Sequence, residues 1–380
     1  MNLGVGAYRD DDGRPHVLKC VRKAETMITN AGLDHEYAGI GGVAAFPPLA
    51  AKLALGDNCP ALADGRVAAL QSISGTGANR VAMAFAAQWL GKGGAGASAI
   101  AMPDPTWGNH IPIAKHAGLD VVRYRYYSPE NNGLDFAGMM DDLSKLEAGT
   151  PVLLHACAHN PTGVDPSLEQ WREISACLAD KGLFPLVDMA YQGFASGDVD
   201  ADAAAVRTLV ADGHDLILCT SFAKNMGLYG ERTGALIFVT STPEQATAVE
   251  SQAKILIRPM YSNPPIYGAR IVETDLSSPE LHALWLTEVA DMADRIIDVR
   301  TTLRNGLAAA GSPHNWSHIT DQIGMFCYSG LTADHVAALA ADHAVYLTAD
   351  GRISMAGVNS SNVDHLIAAI HDVTKDSALN

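Results

Sequence analysis

Apolar residues in this chain gather in short unbroken runs at 97–102, 151–158, 184–188, 216–222 and 234–239. A run of that length, bounded by turn residues, is what a strand buried on both faces shows. Between several of them, 167–181 and 201–211 carry apolar positions three and four apart, the stripe of a helix lying on a sheet. Strand–helix–strand alternation predicts a mainly parallel sheet covered by helices, an α/β fold. Beyond Asp291 the texture changes. Met292, Ile296, Val299, Leu303 and Leu307 predict a long amphipathic helix, followed by a strand at 323–328, a helix over 332–343 and a closing helix from Asn362. The pattern places a domain change near residue 291. Segment 91–98, rich in Gly and Ala, reads as a loop.

Composition narrows the class. With 380 residues, 48% of them apolar and 18% charged, there is room for a large domain and a smaller one. A formal charge of −16 argues against nucleic acid or an anionic membrane as partner. The longest candidate for a membrane span, from Val81, breaks at Gln88 and Gly91. Met1-Asn2-Leu3-Gly4-Val5-Gly6 lacks the pattern of a signal or transit peptide. The six cysteines form no CxxC pair and suit reduced thiols, so the expected compartment is the cytoplasm.

Chemistry concentrates where strands should end. Asn160 follows the 151–158 run, Asp188 closes 184–188, and Lys224 follows 216–222. Each alone has an ordinary explanation: a turn amide, a helix cap, a solvated amine. Together they deliver an amide, a carboxylate and an amine to one sheet edge, where open α/β sheets bind ligands. A lysine made nucleophilic by its surroundings suits Schiff-base chemistry, and a carboxylate facing a pyridine nitrogen would keep it protonated. For a phosphate, Ser74-Gly75-Thr76-Gly77 precedes a helical pattern at 78–90, and Ser221 and Arg232 flank Lys224. His155-Ala156-Cys157-Ala158-His159 would put alternate residues on one strand face, as a metal site requires, but no fourth ligand is evident at a suitable spacing. No G-x-G-x-x-G follows a strand with an acidic residue downstream, which argues against a nicotinamide dinucleotide.

The motifs HNPTG (159–163), DMAYQGFASGD (188–198), SFAKNMGLYGERTG (221–234), SNPP (262–265) and GRISMAG (351–357) occur in an order and spacing that resembles the class I pyridoxal-phosphate aminotransferases. The resemblance runs from Asn2 to beyond Gly357. It implies the fold type I of pyridoxal-phosphate-dependent transferases: a large domain with a mainly parallel seven-stranded sheet (15–291) and a smaller α/β domain formed by both chain ends (1–14 and 292–380). It implies pyridoxal 5'-phosphate as cofactor and Lys224 as the Schiff-base lysine and proton shuttle. Asp188 would pair with the pyridinium nitrogen, Asn160 and Tyr191 would bond the phenolic oxygen, and Trp107 would stack on the ring. His110 and His155 would support Asp188. Ser74, Gly75, Thr76, Ser221 and Arg232 would hold the phosphate, with Tyr37 reaching in from the other subunit of a homodimer. Arg352 would bind the substrate α-carboxylate, helped by Asn160, Trp107 and Gly6, and Arg258 the distal carboxylate from across the interface.

Two arginines imply dicarboxylic substrates, hence reversible transamination between L-aspartate and 2-oxoglutarate, giving oxaloacetate and L-glutamate. An aromatic or broad-range aminotransferase of the same family would keep both arginines; Asn263 and Thr76 lean towards aspartate. The alternative outside catalysis is a silent binding relative, against which intact Lys224, Asp188, Tyr191 and Arg352 speak. Two departures stand out. Ala223 occupies a position where the family usually has a serine on the phosphate, and the chain begins about where the family's substrate-side loop does, without the arm that crosses to the partner.

Overall fold

The computed structural model describes residues 1–379. Seven strands form one sheet: β1 (Val67–Ile73), β2 (Ala99–Asp104), β3 (Asp120–Arg125), β4 (Pro151–His155), β5 (Phe184–Met189), β6 (Leu216–Ser221) and β7 (Thr233–Val239). Their spatial order is β1-β7-β6-β5-β4-β2-β3. Only β7 runs against its neighbours; the pairs from β6 through β3 are parallel. The expected α/β architecture is therefore present.

Both faces of the sheet are covered, which explains the unbroken apolar runs. Leu153, Leu186, Ile217 and Leu236 pack under the helix Ser74–Trp89, while Val152, Leu154, Val187, Leu218 and Ile237 face the opposite core with Trp285 and Leu303. At roughly 1.5–3 kcal/mol for each large apolar side chain buried, these two layers dominate the stability of the frame. The apolar pattern marks neither β1 nor β3. β3, an edge strand, is half charged, with Arg123 on Asp104 at 2.7 Å and Arg125 bonded to Asp142, the guarding an open edge needs. β1 is interrupted by Gln71, whose buried amide bonds Val43 N–H and the Pro265 carbonyl.

Several element boundaries differ from expectation; the strand expected at 323–328 begins at Phe326 and the helix expected over 78–90 begins at Ser74. The 151–158 run stops being a strand at His155, because Ala158 turns the chain with φ +48°. The alternation assumed for His155, Cys157 and His159 thus fails; the two imidazoles lie against each other, centroids 4.2 Å apart. The 201–211 helix is split at Ala203 into Val199–Asp202 and Ala204–Ala211. There the Asp202 carboxylate accepts from Gly193 and Ala195 N–H groups, at 2.7 and 3.1 Å. The long helix begins at Pro279, capped by Ser278, and runs unbroken to Ala309, so residue 291 lies within it.

Downstream, Phe326–Tyr328 pairs with Arg352–Ser354, and the helices Ala333–His343 and Val363–Thr374 start after Thr332 and Asn362 as the pattern predicts. The chain ends meet here: Leu3 N–H donates to the Tyr346 carbonyl at 2.8 Å, and the Leu3 carbonyl accepts from Ser354 N–H at 2.8 Å. Among the described residues, no helix is long and apolar enough to cross a membrane.

Candidate active site

The parallel strands present their C-terminal ends to one side, and register puts His155 beside Asp188 and Asp188 beside Cys219. Above this edge is a cavity of about 220 Å³ lined by Gly6, Ser74, Gly75, Thr76, Trp107, His155, Asn160, Asp188, Tyr191, Ser221, Lys224, Arg232 and Arg352. The structure therefore brings together residues that lie more than 300 positions apart in sequence.

At one end is the start of the helix Ser74–Trp89, whose free N–H groups and dipole favour an anion. Ser74 and Ser221 hydroxyls are 2.9 Å apart, and Ser74 N–H donates to the Arg232 carbonyl at 3.1 Å. Gly234 makes this approach possible: a Cβ there would lie 2.4 Å from the Thr220 carbonyl oxygen and 2.7 Å from the Ser74 carbonyl carbon. Ala223 N–H donates to Ser221 Oγ at 3.2 Å, and its methyl offers no hydroxyl. The missing bond is worth roughly 0.5–1.5 kcal/mol.

A directional chain of hydrogen bonds supports Asp188. A carboxylate can only accept, so His110 Nε2–H donates to Asp188 Oδ2 at 2.9 Å, leaving His110 Nδ1 to accept from the Thr106 hydroxyl at 2.9 Å. Thr106 Oγ1 then accepts from His155 Nε2–H at 3.1 Å, and His155 Nδ1 accepts from Asn160 N–H at 3.4 Å. Burial, with His110 nearby, lowers the His155 pKa to about 3, which keeps it neutral as the chain requires. Thr106 was absent from the sequence expectation; it lies in the loop before the helix His110–Ala117. Asp188 Oδ1, also buried, has no hydrogen-bond partner among the described residues. An unpaired buried carboxylate oxygen is costly, and a protonated ring nitrogen is the donor it lacks. The residues thus fit a pyridinium-bearing cofactor.

Lys224 lies just past β6. Burial, then the Arg232 charge, lowers its amine pKa, with Asp188 opposing, so the nucleophilic neutral form is enriched. The next residue is pinned from two sides, Asn225 Nδ2 donating to the Gln192 carbonyl at 3.0 Å and Trp285 Nε1 donating to the Asn225 carbonyl at 2.8 Å. Burial raises the Tyr191 pKa, so its hydroxyl keeps its proton. Opposite, Arg352 donates to Asn160 Oδ1 at 3.2 Å and to the Gly4 carbonyl at 3.4 Å, its guanidinium 4.0 Å from the Phe326 ring centroid. Phe326 was likewise not anticipated. Trp107 meets His110 edge-on at 5.1 Å.

Tyr37 and Arg258 are not in this cavity. Tyr37 is 84% exposed, and Arg258 stands on the surface, donating to Ser262 Oγ at 2.5 Å. Ser262 donates to Asn263 Oδ1 at 2.9 Å and Asn263 Nδ2 to the Ala38 carbonyl at 2.7 Å, so the two residues share one exposed patch. Among the described residues, no group of three or more His, Cys, Asp or Glu is arranged to hold a metal ion.

A lysine, a half-satisfied aspartate and a helix start thus share one edge of a helix-covered, mainly parallel α/β sheet. The family model for aminotransferase class I and II matches residues 1–370, and the chain belongs to that family. It is 56% identical over 377 residues to the mitochondrial aspartate aminotransferase of Dictyostelium discoideum, a match covering 99% of this chain and 87% of that one. It superposes with TM-score 0.95 on the mitochondrial aspartate aminotransferase of Trypanosoma brucei, 44% identical, covering 99% and 96% of the two chains. An aromatic-amino-acid aminotransferase of Burkholderia pseudomallei, covalently bound to pyridoxal phosphate, gives TM-score 0.95 at 42% identity, covering 99% and 92%. The mitochondrial names overturn the expected cytoplasmic location: absence of a targeting pattern in this sequence was no evidence of compartment.

Proposed function

We propose that the chain is a pyridoxal-5'-phosphate-dependent enzyme that reversibly transfers the amino group between L-aspartate and 2-oxoglutarate. The observation that carries this is the pairing, in one cavity, of a lysine amine lowered in pKa with a buried aspartate oxygen that has no donor. The similarity to aspartate aminotransferases over almost the whole chain supports the same reaction. When bound, pyridoxal phosphate supplies an electron sink for the charge left when a substrate loses its Cα proton. Ser74, Gly75, Thr76, Ser221 and Arg232 would hold its phosphate and Asp188 its ring nitrogen. Trp107 would cover the ring, and Asn160 and Tyr191 would bond its phenolic oxygen. Lys224 would carry the covalent link and move the proton to and from substrate Cα. Arg352 would take the α-carboxylate in a forked pair.

The same reading makes the protein a homodimer. Tyr37 and Arg258, exposed and mutually tethered, would enter the partner's cavity, Arg258 to take the distal carboxylate. It also divides the chain into a large domain, 15–291, and a small one from the two ends, joined through the long helix. A second reading, preference for aromatic donors, is supported by the Burkholderia neighbour. The test is a panel of amino donors on the purified, cofactor-loaded protein, read by absorbance as the bound aldehyde converts to the amine. Aspartate and glutamate should convert it far faster than phenylalanine or alanine. Phenylalanine matching aspartate would favour the aromatic reading, and no conversion by any donor would refute both.

A further inference from the structure

Asn160 stands between Arg352 and the His155 chain, and its placement depends on a turn that is unfavourable in isolation. Ala158, two residues before it, holds φ +48°, a left-handed conformation that an alanine rarely adopts. What holds it there is Asp165. Its carboxylate accepts from Ala158 N–H at 2.6 Å through Oδ2 and from His159 N–H at 2.9 Å through Oδ1. One carboxylate thus gathers two successive amides of the strained turn, and Asn160 N–H, the next along, goes to His155. The rest of the loop closes on itself: His159 Nδ1 pairs with Thr162 Oγ1 at 2.8 Å and Gly163 N–H donates to the His159 carbonyl at 2.6 Å. From the far side Gly324, at φ +81°, leaves just enough room; a Cβ there would come within 2.4 Å of the Ala158 Cβ.

We infer that Asp165 is a positioning residue of the reaction: by clamping the Ala158 and His159 amides it aims the Asn160 amide at Arg352 and at the cofactor's phenolic oxygen. The inference rests on the proposed role of Asn160 and goes beyond it by assigning a cause for its placement. No reacting atom touches Asp165, and its effect passes through Asn160. Burial pushes the Asp165 carboxyl up to about 6 while its two amide bonds pull it down, so it is ionised, and accepts with both oxygens, at pH 8.

The test is the pH titration of the visible absorption band of the protein loaded with pyridoxal phosphate, together with KM and kcat for aspartate and the melting temperature. Asp165→Asn keeps the shape but turns one acceptor into an N–H₂ donor facing an amide donor. The titration midpoint should move up by about one pH unit, since Asn160 would favour the deprotonated form less well, and KM should rise more than kcat falls. In an Asn160→Ala background the same change should add almost nothing to the midpoint shift, because the two act as a unit. If Asn160→Ala shifts the midpoint but Asp165→Asn does not, Asp165 is only a brace for the fold and the inference is wrong, whatever the melting temperature does. If Asn160→Ala leaves the midpoint in place, the reading of the site has failed, and this inference falls with it. Should Asp165→Asn not fold, Gly324→Ala displaces the same turn from the other side. A raised midpoint there supports the inference, and an unmoved one refutes it.

Discussion

Asp188 and Arg258 are charged side chains assigned to the same reaction, yet they sit in opposite kinds of surroundings. Asp188 ends a central strand, its Oδ2 held by His110 at 2.9 Å, with Thr106 and His155 lined up behind it. Arg258 stands in solvent, with a single hydroxyl, Ser262 Oγ, as side-chain partner. The sheet-edge region is buried and braced; the 258–263 patch beside Tyr37 lies at the surface, tied to the chain by Asn263 donating to the Ala38 carbonyl. The difference teaches what a single chain can build by itself: a buried group is fixed by packing and can present an unpaired atom to a ligand, here Asp188 Oδ1. An exposed guanidinium gains little from its own chain and needs a second, drier surface to become selective.

The most severe way to break this comparison is Asp188→Asn. The neutral amide removes the charge proposed to face the ring nitrogen and puts either a donor or an uncharged acceptor against His110. Turnover with aspartate, measured at saturating cofactor, should fall by orders of magnitude. Near-normal kcat would mean that the unpartnered oxygen has another purpose.

Next in size is Arg258→Asp. If the exposed region completes a partner's cavity, kcat/KM for aspartate and glutamate should drop by several kcal/mol equivalent while alanine and phenylalanine change little, because only the former have a distal carboxylate to repel. Mixing Arg258→Asp with Lys224→Ala chains should restore activity at the one hybrid site that has both an intact lysine and an intact arginine. Proven hybrids without recovered dicarboxylate activity would show that Arg258 does not act across an interface.

The smallest effect sharpens the contrast between satisfied and unsatisfied groups inside the protein. Glu288 on the long helix accepts from Lys19 and Cys20 N–H at 2.8 and 2.9 Å, capping the helix Lys19–Ala31. Nearby Asp275 is fully buried, with neither oxygen bonded to a nitrogen or oxygen donor. Burial, with the Cys20 thiol opposing and the Glu288 charge adding, pushes its pKa from 3.8 up to about 7. Between those values the folded protein keeps a proton that the unfolded chain has released. This contribution to stability is therefore fully present at the acid end and is lost as pH rises to about 7. Asp275→Asn should flatten that slope and stabilise the protein at pH 8, by on the order of 4 kcal/mol at most. Denaturant midpoints across the range check it; an unchanged slope would mean that Asp275 is ionised in the folded state.

Much of this molecule is legible in its sequence because the relevant forces are local or periodic. The runs at 184–188, 216–222 and 234–239 read as strands because a strand covered on both faces has no reason to alternate. The apolar spacing over 167–181 marks the helix Leu168–Lys181, whose start the structure closes with a capping box between Ser167 and Gln170. Lys224, Asp188 and Asn160 could be placed at one edge because each stands at or just past the end of such a run. What the sequence by itself determined is thus the layered α/β frame, the strand ends and the residue types presented there. Tertiary structure alone decided the rest. Strand β3 is charged because its place at the sheet edge exposes it, and β1 carries Gln71 because distant loops need its amide. Ala158 takes a left-handed conformation only because Asp165 and Gly324 make room and supply acceptors. Thr106, Phe326 and Trp285 matter through contacts with residues far along the chain. Those contacts arise from packing in three dimensions, where distance in sequence sets no limit on which groups share a hydrogen bond or a dry surface.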